Sequence, residues 1–60
     1  MRVTYKGKTF EFRPCDTESV TQEELQDMAY TDGEIQYDVY GMRVETHLVI
    51  HGIGYGWVVD

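Results

Sequence analysis

Between Ile35 and Ile50, apolar side chains recur on every second residue, and the phase of the repeat switches once, between Val39 and Met42. A strand sends successive side chains to opposite faces, so this period belongs to strands, and the switch marks a turn. A tight turn at Tyr40-Gly41 pairs Val39 with Met42 and Tyr37 with Val44. On the opposite face it sets Asp38 against Arg43 and brings Glu34 near His47. Ile35, Tyr37 and Val39 then share a face with Met42, Val44, Thr46, Leu48 and Ile50. A further turn within Gly52-Ile53-Gly54-Tyr55 returns a third strand, with Trp57 opposite Ile50 and Val59 opposite Leu48.

Residues 2–13 read as a second hairpin around Lys6-Gly7, closed by a tight loop or by a four-residue loop in the same register. Val3 faces Phe10 and Met1 faces Phe12 on an apolar side; Arg2 faces Glu11 and Thr4 faces Thr9 on a polar side. A one-residue slip would mix the two faces. Pro14 has no N–H to donate and ends the second strand, and residues 15–20 read as a connecting loop.

The helical signal is local. Thr21-Gln22-Glu23-Glu24 fits a capping box, Val20 and Leu25 are spaced as a hydrophobic staple, and Glu23 and Glu24 suit the positive end of a helix dipole. Leu25, Met28 and Ala29 form a narrow apolar stripe, and the helix is expected over 21–30, before Asp32-Gly33. A helix of about ten residues is marginal alone and must lie on a sheet. The expected fold is α+β: an antiparallel sheet of four to five strands with one short helix on one face, in the order β-β-α-β-β-β. Leu25 and Met28 are expected to pack on Val3, Phe10, Phe12, Tyr37, Val44, Leu48, Ile50 and Trp57.

Sixty residues make a single domain, 1–60. A chain this short buries roughly 60% of the surface its unfolded form exposes. Such a core rarely supplies more than about 3–5 kcal/mol, which leaves little to hold a strained, dry active site, so an enzyme is not expected. Cys15 is the only cysteine, so no disulfide forms within the chain. The first residues lack the apolar run of a secretory signal, and no stretch reaches the ~20 apolar residues of a membrane span. These features point to the cytoplasm and away from membranes.

No residue set supports catalytic, metal or cofactor chemistry. Gly52-Ile53-Gly54-Tyr55-Gly56 lacks the spacing and the following helix of a dinucleotide fingerprint and reads as a hairpin loop. His47 and His51, four residues apart on a strand, lie about 13 Å apart, too far to share a metal. Asp16 beside Cys15 disfavours a thiolate nucleophile. The carboxylates have polar neighbours and lack the desolvation that splits an acid/base pair.

Charge is the more informative feature. The chain carries −6 overall, yet residues 1–13 carry +3 and residues 41–60 carry −1. Residues 14–40 carry −8: Asp16, Glu18, Glu23, Glu24, Asp27, Asp32, Glu34 and Asp38, with no Lys or Arg among them. Surface acid commonly serves solubility alone. Carboxylates without interspersed cations can also enter a Lys/Arg groove built for phosphates. Direct nucleic-acid binding is disfavoured, because this segment repels phosphate. An apolar surface is expected as well: Val49 opposite Val58 on the outer face of the last hairpin, with Tyr55 and Tyr40 nearby.

In size, compartment and the acidic block Asp16 to Asp38, the chain resembles the small acidic anti-CRISPR proteins encoded by phages and mobile elements. The resemblance rests on no shared motif. It implies a DNA-mimic inhibitor in the host bacterial cytoplasm, whose partner is a protein with a basic nucleic-acid-binding groove, such as a CRISPR–Cas effector complex. The competing expectation is a protein–protein adaptor or homodimeric regulatory module working through the apolar face of the C-terminal hairpin. The chain itself is then a monomer or a homodimer.

Overall fold

The computed structural model describes residues 1–59. Strands β1 (Arg2–Tyr5) and β2 (Lys8–Glu11) are followed by a one-turn helix α1 (Pro14–Thr17) and the main helix α2 (Gln22–Asp32). Strands β3 (Gly33–Tyr40), β4 (Arg43–Ile50) and β5 (Gly54–Val58) complete the chain. The fold is α+β, with one five-stranded antiparallel sheet in the order β1-β2-β5-β4-β3.

The first hairpin has the expected register: Arg2 faces Glu11, Val3 faces Phe10 and Thr4 faces Thr9. Its loop is the two-residue Lys6-Gly7, both at positive φ (50° and 78°), as the twist-matched hairpin turn requires. Pro14 occupies the first turn of α1, where its missing N–H costs nothing, so residues 14–17 coil instead of forming a plain loop. In α2 the capping box closes: the Glu24 amide donates to Thr21 Oγ1 and the Thr21 amide donates to Glu24 Oε1, each at 3.1 Å. The helix runs two residues beyond Tyr30, to Asp32, and the Gly33 amide donates to the Ala29 carbonyl.

Two strand registers differ from expectation. In β3–β4, Tyr40 faces Arg43, Val39 faces Val44 and Asp38 faces Glu45, with Gln36 opposite His47 and Glu34 opposite Val49. The loop is therefore Gly41-Met42, not Tyr40-Gly41. Gly41 supplies positive φ (62°) at the first loop position, which only glycine adopts freely. This two-residue shift keeps the strand side chains on their expected faces but moves Met42, expected opposite Val39, into the loop. In β4–β5, however, Ile50 faces Gly54, Leu48 faces Gly56 and His47 faces Trp57. That is an odd shift, and it exchanges the faces of β5. Trp57 lies outside, 42% exposed, and Val58 lies inside opposite Phe10 and against the core.

The reason for the exchange is the bulk of Phe12. A Cβ on Gly56 would stand 2.7 Å from one Phe12 ring carbon and 2.8 Å from another. The inner face of β5 must be bare at that point, so Tyr55 and Trp57 turn outward. The core comprises Val3, Phe10, Phe12, Leu25, Ala29, Leu48 and Ile50, with Met28 and Val20 at its margin. Tyr37 and Val44 do not join it. Their half of the β3–β4 hairpin projects beyond the reach of α2 and stands exposed.

The two sheet edges are finished differently. Tyr5 and Lys8 close a two-residue loop and bond to each other, so Arg2 and Thr4 turn their backbone groups outward. Helix α2 meets them there. Gln26 accepts from the Thr4 amide at 3.1 Å and donates to the Thr4 carbonyl at 2.7 Å, and Gln22 donates to the Arg2 carbonyl. The β1 edge is thus sealed by side chains.

Candidate functional site

Burial of Leu25 and Ala29 fixes the rotation of α2. Glu23, Glu24 and Asp27 are thereby turned to solvent, with Asp32 at the end of the helix and Glu18 just before it. Glu23 and Asp27, at i,i+4, line a shallow groove with Gln22, Gln26 and Tyr30. Their Cβ atoms lie about 5–6 Å apart. No basic residue occupies the last turn, where Asp32 adds to the negative end of the helix dipole.

Ion pairing separates the acids into two groups. Glu11 is 3.0 Å from the Met1 ammonium and 3.2 Å from Arg2 Nε; Asp16 is 3.0 Å from Arg13 Nε; Glu45 is 3.2 Å from an Arg43 nitrogen; Asp38 is 3.0 Å from His47 Nδ1. Among the described residues, Glu18, Glu23, Glu24, Asp27, Asp32 and Glu34 have no such partner. The predicted acidic block is therefore smaller and more local than its sequence span. Asp16 is paired with Arg13, Asp38 stands beside the His47 ring without a hydrogen bond, and Glu34 and Asp38 project from the sheet face opposite α2, leaving Glu18, Glu23, Glu24, Asp27 and Asp32 on α2 and just before it. The ammonium bond, reinforced by Arg2, lowers the Glu11 pKa against partial desolvation, and the Asp16 carboxylate raises that of Arg13.

On the opposite face, Val49 faces Tyr55 across β4–β5 and shares a shallow groove with Tyr40 and His47. The His47 and Tyr55 rings meet edge-on, with centroids 5.6 Å apart. Asp38 stands close to His47 Nδ1 but out of line for a hydrogen bond. Three of the four expected apolar contact residues thus gather here. Val58, the fourth, is excluded by the register of β5, and Trp57 takes its place on this face. The alternation Gly54-Tyr-Gly-Trp carried the signal for this, since a bare Gly56 suits the side that the Phe12 ring presses on.

Cys15 is exposed, with Sγ 3.9 Å from Asp16 Oδ1. The glycines at 52 and 54 sit in and beside the β4–β5 loop at positive φ (86° and 129°). Among the described residues no three His, Cys, Asp or Glu side chains come together as a metal site, and no helix is long and apolar enough to cross a membrane. Gln22 and Gln26, which seal the β1 edge, escaped the sequence reading; their i,i+4 spacing beside the Leu25–Ala29 stripe was the available signal. Compared with protein-family models, curated proteins and solved structures, the chain matches none, and its function must be argued from these two surfaces.

Proposed function

We propose that this chain is a binding protein whose α2 face occupies the Lys/Arg-lined groove of a nucleic-acid-handling complex. It would act as an anti-CRISPR-type inhibitor, excluding target DNA from an effector in the bacterial cytoplasm. One observation supports the reading above others: the acids of α2 and its flank are exposed and without ion-pair partners, whereas Glu11, Asp16 and Glu45 each have one. Glu23, Glu24 and Asp27 place one carboxylate per roughly 2.5–3 Å of helix axis. Duplex DNA carries one charge per ~1.7 Å, so the helix comes near the charge density such a groove is built to meet.

The test uses purified DNA-targeting effector complexes of several types. Association should slow steeply with added salt, since surface charges are screened over roughly 8–10 Å at physiological ionic strength. Glu23→Gln, Glu24→Gln and Asp27→Asn together should weaken binding at least tenfold. The thermal midpoint should fall by no more than several degrees: Gln still completes the capping box and an i,i+4 repulsion of about 0.2–0.5 kcal/mol is removed, against about 0.3–1 kcal/mol of helix-dipole stabilisation lost at each of Glu23 and Glu24. The chain and target DNA should compete for one site. Simultaneous, independent binding of both, together with an inert triple variant, overturns the reading. A second reading, an adaptor working through the opposite face, is favoured by the contiguous exposed aromatics Tyr40, Tyr55 and Trp57. It is distinguished by Tyr55→Lys with Trp57→Lys, which should abolish binding only if that face is used.

A further inference from the structure

The two edges of the sheet are not equivalent. The closing-pair rule that turns Arg2 and Thr4 outward on β1 applies equally to β3. Tyr40 and Arg43 flank a two-residue loop and bond to each other. Tyr40, Asp38, Gln36 and Glu34 therefore direct their backbone groups to β4, and Val39, Tyr37, Ile35 and Gly33 direct theirs outward. Gly33 conforms: its amide donates to the Ala29 carbonyl, and its carbonyl accepts from the Tyr5 hydroxyl at 3.3 Å. Ile35, Tyr37 and Val39 have no such cover, because β3 ends the sheet. One edge is sealed by two glutamines, and the other is open from Ile35 to Val39.

The open edge adjoins the main exposed apolar surface. Tyr37 is 62% exposed, Val39 68%, Val44 60% and Met42 fully exposed. Tyr37, Val39 and Val44 share the sheet face that carries α2, beyond its reach, and Met42 stands at the loop beside them. Together they leave about 500 Å² of apolar side chain uncovered per copy, near the top of what a monomer shows.

We propose that β3 pairs antiparallel with β3 of a second copy, about a two-fold axis through Tyr37, to make one continuous ten-stranded sheet. Among registers centred within Gln36–Asp38, charge favours this one. Centring on Gln36 would set Glu34 against Asp38 of the second copy, and centring on Asp38 would set that carboxylate against itself. Centring on Tyr37 sets Asp38 against Gln36, Glu34 against Tyr40 and Ile35 against Val39, and leaves no like charges directly opposed. The outward groups of Ile35 then bond those of Val39, and those of Tyr37 bond their own counterparts. The antiparallel arrangement carries each exposed hairpin tip alongside the start of the partner strand, where α2 ends. Pairing covers the β3 edge itself and brings Tyr37 and Val39 of each copy beside Tyr37 and Ile35 of the other, while Val44, on β4, stands on the far side of β3 from the partner. This association does not depend on what the acidic face binds.

Sedimentation equilibrium of the full chain, from micromolar to millimolar concentration, should show a reversible species of twice the chain mass. Tyr37→Lys opposes two ammonium groups at the axis and should return a monomer throughout, with circular dichroism unchanged because Tyr37 lies outside the core. In a Cys15→Ser background, Tyr37→Cys should cross-link on oxidation. Directly paired Cα atoms lie about 5.5 Å apart, within disulfide range. Asp38→Cys in the same background should not cross-link. A chain monomeric at every concentration overturns the proposal. So does a dimer indifferent to Tyr37→Lys, or one in which Tyr37→Cys fails to cross-link.

Discussion

Gly56→Ala tests the packing that sets the face of β5. Its φ is not in the left-handed region, so the backbone itself accepts alanine, and removing a strand glycine would ordinarily stabilise by about 0.5–1 kcal/mol. Against that, the new Cβ stands 2.7 and 2.8 Å from two Phe12 ring carbons and 3.0 Å from the Glu11 carbonyl oxygen. Comfortable carbon contacts lie at about 3.5–4.0 Å, so the shortfall is about 1 Å. Phe12 is completely buried and Glu11 O belongs to the backbone, so neither yields cheaply. Overpacking of this kind costs about 1–3 kcal/mol and outweighs the entropic gain. The net loss should be about 1–2 kcal/mol, a large share of the ~3–5 kcal/mol such a core supplies. The midpoint should fall by roughly 5–15 °C. Thermal unfolding followed by Trp57 fluorescence measures it, since Trp57 sits on the same strand. Phe12→Leu removes the offending ring atoms, so the double variant should be more stable than the sum of the single effects predicts, by about 1 kcal/mol. A Gly56→Ala variant as stable as the parent, or strictly additive effects, would refute the reasoning.

Two further outcomes follow from the cap and the charge pairs. Thr21→Ala should cost about 1 kcal/mol in urea unfolding, with Thr21→Ser restoring it, because the hydroxyl satisfies the Glu24 amide. Glu11 has its pKa lowered in the folded state, so its contribution is present above the ordinary carboxylate range and is lost as pH falls through the lowered value. The difference in thermal midpoint between the parent and Glu11→Gln should therefore be open near neutrality and close in acid. A difference constant with pH would show that Glu11 acts by packing and not by charge.

The legibility of this chain varied with the parity of each register. The first hairpin was readable because Val3, Phe10 and Phe12 oppose a polar face on which Arg2 meets Glu11, so any slip carries a penalty. In β3–β4 the alternation identified the faces but could not distinguish a shift of two; the dihedral preference of Gly41 decided it. In β5 the large side chains suggested the wrong face. Trp57 looks like a core residue until the ring of Phe12, distant in sequence, claims the space above Gly56. The acids were legible as a block. Their division into paired and unpaired groups was not, because Arg13 reaches Asp16 only in the folded chain.

The sheet order carries a temporal consequence. Strand β5, the last to be synthesised, lies in the middle, between β2 and β4. Until residues through Val58 have left the ribosome, the nascent chain holds two separate hairpins, each marginal in water, with α2 between them. No half-sheet can close early. Completion depends on the long-range pairing of Phe10 with Val58, which carries the loop-closure cost that slows folding. A stop codon just before Gly54 would therefore leave no smaller folded sheet, because the strand it removes is the one that joins the two hairpins.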